Sequence, residues 1–305
     1  MNLRASTVAA LAATFLAVPA QAGSPRDALV VSADWLKGHL SDPDLVLLHV
    51  GDKDGYAEKH IPGARHTMLP DVSVTDKTAK GLVLEMPPAE ELRTKLEALG
   101  ISDRSKVVVY YGKDWVSPTT RVVFTLDYAG LGKNAFLLDG GLDAWVRAGG
   151  AVTQEAPAAK TGTLSPLKIR PLVVDAATVQ SRLGKKGFAV VDGRASAFYD
   201  GTDTGGSNGS EHRTGHIAGA LSIPFTSITR DDLMLKSPDE LQALFTKAGV
   251  KPGDTVIGYC HIGMQTTAML FAARTLGHEV LLYDGSFQDW SRRADAPVAN
   301  PAAKP

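Results

Sequence analysis

Continuous apolar runs, rather than alternating ones, mark the strands of this chain. Leu45-Val46-Leu47-Leu48-His49-Val50, residues 106–110 and residues 135–138 are runs of this kind in the first half. Ala189-Val190-Val191 and Thr255-Val256-Ile257 are their counterparts in the second. A strand apolar on both sides is covered on both faces, the condition of a parallel sheet sandwiched by helices. Between the runs the period changes. Residues 90–99 carry helical spacing that stops at Gly100, and residues 119–128, 239–248 and those from Thr266 onward also read as helices. Ser32 is placed to cap a short helix carrying Trp35 and Leu36. Gly140-Gly141 precedes a closing helix that begins at Leu142. Strands alternating with helices in this order predict an α/β fold with parallel sheets.

The two halves repeat one another. Ala189-Val190-Val191-Asp192 echoes Val46-Leu47-Leu48-His49, and Gly215-His216-Ile217-Ala218-Gly219-Ala220 echoes Lys59-His60-Ile61-Pro62-Gly63-Ala64. Helix 239–248 repeats helix 90–99. The ending Leu276-Gly277…Asp284-Gly285-Ser286…Trp290 repeats Leu131-Gly132…Asp139-Gly140-Gly141…Trp145. Between the halves, residues 151–171 are rich in Ala, Pro, Thr and Lys without a period, which reads as a linker packed in part on a domain surface. The expected organisation is a first domain at 28–150, the linker at 151–171, a second domain at 172–296 and a tail at 297–305. His60 and His216 occupy matching turns, so both are expected to be structural, bonded to nearby backbone.

Composition narrows the function classes. At 305 residues, 44% hydrophobic and 21% charged, the chain has room for two globular domains. A formal net charge of −1 gives no electrostatic case for nucleic acid. No apolar run past the N-terminus has membrane-spanning length. Residues 1–22 differ: a basic start, a small apolar stretch and Pro19-Ala20-Gln21-Ala22 read as a secretory signal peptide cleaved after Ala22. Export, most simply to the periplasm, is the expected localisation.

Cys260 is the one cysteine, so it has no internal disulfide partner. It falls where a buried strand ends and a short loop leads into a helix. Unpaired N–H groups and the helix dipole stabilise an anion at such a place. A cysteine there is expected to have a lowered pKa and to be partly thiolate near neutral pH, ready to act as a nucleophile. A buried structural cysteine is the alternative. At the matching place the first half has Tyr110-Tyr111-Gly112-Lys113-Asp114-Trp115, with no nucleophile and a loop expected to be about four residues longer. The first half then keeps the scaffold without the chemistry, and its expected role is to pack on the second and wall its site.

The ordered set of a His-Ile-x-Gly-Ala turn in both halves, Val190-Val191-Asp192-Gly193-Arg194, Tyr259-Cys260, and Tyr283-Asp284-Gly285…Trp290 resembles the rhodanese family, specifically its tandem-domain thiosulfate and 3-mercaptopyruvate sulfurtransferases. The resemblance spans about residues 28–296 and implies two tandem rhodanese-like domains, each a parallel-stranded sheet flanked by helices, the first inactive and the second catalytic. It also implies a persulfide on Cys260. The loop His261, Ile262, Gly263, Met264, Gln265 and Thr266 would then wrap the sulfur with backbone N–H groups, Gly263 at a position tolerant of unusual φ. Partners would be a small sulfur donor and a thiophilic acceptor, cyanide or a thiol. Such ping-pong chemistry needs no metal or organic cofactor. The loop departs from the Cys-Arg-Lys-Gly-Val-Thr of typical thiosulfate enzymes and from the Cys-Gly-Ser/Ala-Gly-Val-Thr of typical mercaptopyruvate enzymes. Arg194 and Arg213 are the candidates for donor binding, although Arg194 fits an internal salt bridge with Asp192 equally well and Arg213 an ordinary exposed site. Ala197 stands where mercaptopyruvate enzymes carry an arginine, so thiosulfate is the expected donor, with 3-mercaptopyruvate transfer or a non-enzymatic persulfide carrier as alternatives. Phosphatase chemistry lacks its clamping arginine, because position 266 is Thr.

Overall fold

The computed structural model describes residues 23–78, 80–204 and 213–303. Residues 1–22, read above as a signal peptide, and most of the Gly-rich insertion at 201–209 lie outside the described residues. The first half runs β1 (Val30–Val31), α1 (Ala33–His39), β2 (Leu45–Val50), α2 (Lys53–Glu58), β3 (Arg65–Thr67), α3 (Ala89–Ala98), β4 (Lys106–Tyr111), α4 (Val116–Tyr128), β5 (Ala135–Leu138) and α5 (Gly141–Arg147). The second runs β6 (Val173–Val174), α6 (Ala176–Arg182), β7 (Phe188–Asp192), α7 (Ser196–Asp200), β8 (His216–Ile217), β9 (Leu221–Ser222), α8 (Pro238–Ala248), β10 (Thr255–Tyr259), α9 (Thr266–Thr275), β11 (Val280–Tyr283), α10 (Ser286–Trp290) and β12 (Val298–Ala299).

Each half builds a five-stranded sheet, in the orders β1-β5-β4-β2-β3 and β6-β11-β10-β7-β9. All pairings within these sheets are parallel. Equivalent residues meet in equivalent register: His49 pairs with Tyr110 in the first sheet and Asp192 with Tyr259 in the second. The apolar runs are buried on both faces, as their pattern requires. Ser32 caps α1 by accepting from the Trp35 N–H at 3.1 Å. The matching histidines are structural: His60 Nδ1 donates to the Tyr56 carbonyl and His216 Nδ1 to the Tyr199 carbonyl, each at 2.7 Å. Both rings stack on the tyrosine whose carbonyl they bond.

The two domains share a core. One apolar cluster contains Leu48 and Val109 of the first sheet, Val191 and Val256 of the second, and α4 and α9 between them. The outer faces carry separate clusters around Trp145 and Trp290. Every residue from 116 to 127 on α4 is buried, charged ones included, because the helix is enclosed by its own sheet and by α9. Thr120 and Thr267 share a hydrogen bond of 3.0 Å where the two helices touch. Asp127 of α4 pairs with Arg274 of α9 at 3.1 Å.

Two expectations change. The extra length of the first half is not in its loop: only four residues separate β4 from α4, against six between β10 and α9. The difference is in the helix, 13 residues in α4 and 10 in α9, and in the connection that follows it, six residues before β5 against four before β11. Tyr111 stands at the place of Cys260, so no anion needs to be wrapped there and the turn is short. Past Ala296, Val298 and Ala299 form β12, antiparallel to β8 through Ile217 and His216, where a free tail was expected. The linker follows the first domain, with Leu164 buried and Gly162 N–H donating to the Glu97 carbonyl at 2.7 Å.

Tyr110 and Tyr259 hold the histidine turns by accepting from the N–H groups of Ile61 and Ile217, each at 3.0 Å. Tyr259→Phe leaves the Ile217 N–H buried and unpaired, a cost of about 1–3 kcal/mol. Urea unfolding should show a lower midpoint for Tyr259→Phe, whose hydroxyl also meets Asp192, and for Tyr110→Phe, whose hydroxyl also meets His49. An unchanged midpoint for both would show that these bonds do not hold the turns.

Candidate active site

Cys260 follows directly on β10, the central strand of the second sheet, and α9 opens six residues later. Its backbone is tied on both sides: its N–H donates to Ser286 Oγ at 3.2 Å, and its carbonyl accepts from Phe287 N–H at 3.0 Å. The next carbonyl, of His261, accepts from Gln288 N–H at 3.0 Å. The first turn of α10 thus anchors the start of the loop. Gly263 sits at φ +77°, and a Cβ there would lie 2.8 Å from Asp284 Oδ1, so the glycine is required twice over. Gln265 caps α9 without a side-chain bond, which leaves the helix N–H groups to the sulfur.

The backbone N–H groups of Thr266, Ile262 and Gln265 act on the Cys260 sulfur and favour its anion. They do not lower its pKa below the ordinary thiol value, as the strand-loop-helix position predicted. The side chain has no exposed surface, and burial pushes the thiol up by more than the N–H groups pull it down; Asp192 adds to the rise. Donors that cannot remove the proton in the resting protein remain available to an anion that replaces it.

The other predicted residues separate into two groups. His261, Ile262, Met264 and Gln265 are half-buried, with the His261 ring edge-on to Phe198 at 4.5 Å. Thr266 is buried against the backbone of Gly193 and Gly258. Arg194 and Arg213 bind the protein itself. Arg194 is buried, grips Asp192 through Nε and Nη2, donates to the Gly215 carbonyl at 2.6 Å and stacks 4.2 Å from the Phe287 ring. It is near enough to sense charge on Cys260, yet its guanidinium is engaged beneath the loop. Arg213 donates to the carbonyls of Trp290, Ser291, Arg293 and Ala296, closing the C-terminal end of α10.

Sequence reasoning missed Arg121 and Glu85, both from the first domain. Arg121 Nη1 donates to Asp284 Oδ1 at 2.6 Å and to the Gly263 carbonyl at 3.0 Å, with 1% of its side chain exposed. The available signal was a cation amid the apolar run Arg121-Val122-Val123-Phe124. Glu85 belongs to a strap on which Met86 N–H donates to Asp284 Oδ2 at 2.7 Å. Among the described residues there is no cluster of metal-ligating side chains and no helix long and apolar enough to cross a membrane.

Fold and site together define a tandem α/β protein with one cysteine-bearing domain and one that carries Tyr111 at the matching place. The chain belongs to the rhodanese family: the Rhodanese-like domain model matches it twice, at residues 32–148 and 175–293. It is 30% identical to the sulfur carrier protein TtuD of Thermus thermophilus, over 91% of this chain and 98% of that protein. Identity to the rat (Rattus norvegicus) thiosulfate sulfurtransferase is 30%, over 78% of this chain and 80% of the relative. The 3-mercaptopyruvate sulfurtransferase of Escherichia coli K12 is 29% identical, over 88% and 96% respectively. The solved structure of wild-type EanB shares the fold, with a TM-score of 0.80 at 22% identity over 92% of this chain and 70% of that one.

Glu85 faces Asp284, Arg121 and Asp289, and its pKa is raised to about 7 by burial first and by Asp284 next, with Arg121 opposing. The unfolded chain releases this proton near 4.5 and the folded one near 7, so stability falls as pH rises through that window and levels off above it. Glu85→Gln is neutral throughout. Its melting temperature should gain on the native protein between pH 4.5 and pH 7 and hold a constant lead beyond. A lead that does not vary with pH would mean that another group titrates.

Proposed function

We propose that this protein moves a sulfane sulfur from thiosulfate to cyanide or a thiol through a persulfide on Cys260. The Cys260 thiolate attacks the outer sulfur of the donor. The bond between the two donor sulfurs breaks, and its electron pair leaves with sulfite. The new terminal sulfur carries the negative charge, one bond further from the protein and facing the N–H groups of Ile262, Gln265 and Thr266. The acceptor then attacks that sulfur, and the electron pair of the persulfide bond returns to Cys260 as thiolate. Burial of the resting thiol fits this order of events, because the N–H array is matched to an anion and not to the protonated side chain.

Arg194 and Arg213 are both engaged with Asp192 and internal carbonyls, so neither clamps a donor. Thiosulfate is itself an anion, so this engagement does not choose between the donors. The choice of thiosulfate is supported by Ala197, which stands where mercaptopyruvate enzymes carry an arginine. Initial rates of thiocyanate formation should be measured with each donor in turn. The expected result is a kcat/KM for thiosulfate about tenfold or more above that for 3-mercaptopyruvate, with Cys260→Ala silent toward both. A reversed preference would reassign the donor. A persulfide that forms without turnover would make the protein a sulfur carrier.

Export to the periplasm is proposed on the composition of residues 1–22 alone. N-terminal sequencing of the protein isolated from its native host should begin at Gly23. A chain starting at Met1 in the cytoplasmic fraction would overturn the assignment.

A further inference from the structure

The first domain does more than wall the site. Its helix α4 sends Arg121 across the interface, where one guanidinium nitrogen, Nη1, bonds both Asp284 Oδ1 and the Gly263 carbonyl. The other, Nη2, donates to the Leu84 carbonyl, and Leu84 is held at φ +60°, a strained conformation for a leucine. The same strap places Met86 N–H on Asp284 Oδ2 and Val83 N–H on Gln288 Oε1. Gly263 is thereby packed against the arginine: a Cβ on it would lie 3.0 Å from Nη1.

The repeat supplies a comparison within the molecule. In the opposite direction Leu233, at φ +62°, offers its carbonyl to Tyr111 Oη, and Leu235 N–H donates to Asp139 Oδ1. The straps are therefore common to both halves. An arginine meets the closing aspartate in each half, but from different places. Asp139 is met by Arg26 of its own half, which also donates to the Lys236 carbonyl of the opposing strap. Asp284 is met by Arg121 of the other half; the Thr120–Thr267 contact relates the two helices, and the residue after Thr267 is Ala268. Among the described residues, a helix arginine that reaches the loop carbonyl of the other half is found on the side that has the cysteine.

We propose that Arg121, supplied by the cysteine-free domain, is a positioning residue for sulfur transfer: it fixes the Gly263 peptide so that the loop N–H groups converge on the Cys260 sulfur. In a trans peptide the N–H points opposite to the C=O. The Gly263 carbonyl shares its peptide with the Met264 N–H, so pinning it on the guanidinium fixes the plane of that peptide and, through it, the course of the loop between Ile262 and Gln265, whose N–H groups act on the sulfur. Asp284 cannot do this, since a carboxylate repels a carbonyl; it holds the arginine that does. The account rests on Cys260 being the nucleophile of the proposed reaction.

Arg121→Gln and Arg121→Lys would be compared with the native protein after cooperative melting shows that each is folded. Asp284→Asn combined with Arg121→Gln removes the unpaired buried carboxylate if the single variant does not fold. Two readouts are needed: the pH profile of Cys260 alkylation by iodoacetamide, and kcat and KM for the donor. Loss of the clamp should move the alkylation midpoint upward by about one pH unit and lower kcat about 10–100-fold, with KM changed less than about threefold. Arg121→Lys, which keeps a cation for the Gly263 carbonyl, should recover part of both. A folded Arg121→Gln with the native alkylation profile and native kcat would overturn the proposal. If the native protein itself turns over neither thiosulfate nor 3-mercaptopyruvate, the proposed function fails, and the alkylation profile still decides the role of Arg121.

Discussion

A sulfur buried without any exposed surface, yet surrounded by backbone N–H groups, is the constraint on which this structure turns. Burial disfavours the thiolate, and the N–H groups favour it; burial prevails while the sulfur carries a proton. Such an arrangement is held only by rigid surroundings, because three peptide planes must point inward at once. The strand β10, the first turns of α9 and α10, and a glycine in left-handed conformation provide that rigidity from within the domain. The rest is provided from outside, through Arg121 on Gly263 and Asp284.

The doubled architecture follows from this. Two sheets of identical strand order press α4 and α9 together in one shared core, so neither helix has a solvent side. Packing so complete leaves room for a buried arginine only where its charge is answered, and Asp284 answers it at 2.6 Å. In the first domain Tyr111 takes the place of Cys260 and turns its hydroxyl to the Leu233 carbonyl of the opposing strap. One half of the repeat thus uses its turn to enclose a cysteine and the other uses it for adhesion.

The strands, the helices and their duplication were legible because they rest on periodicity, which residues 45–50, 106–110 and 189–191 state twice over. Cys260 was legible as the one cysteine at a strand-loop-helix junction. The state of its thiol was not, since the sign of the pKa shift depends on how deeply the sulfur is buried, which tertiary packing decides. Arg194 and Arg213 illustrate the same limit: a sequence shows that a cation is present, while its partner, Asp192 for one and the end of α10 for the other, is set by tertiary packing. Arg121 escaped notice because its targets, Gly263 and Asp284, lie more than a hundred residues away along the chain. The placement of the four extra residues of the first half was also misread, because counting between Asp-Gly pairs measures length and not whether helix or loop absorbs it.

The central claim, that Cys260 carries the transferred sulfur, is tested most directly by intact-mass and peptide mass spectrometry of the protein after brief exposure to thiosulfate. The account predicts a gain of about 32 Da, one sulfur atom, confined to the peptide containing Cys260 and lost on adding cyanide. No gain on that peptide while thiocyanate is still being formed would contradict it.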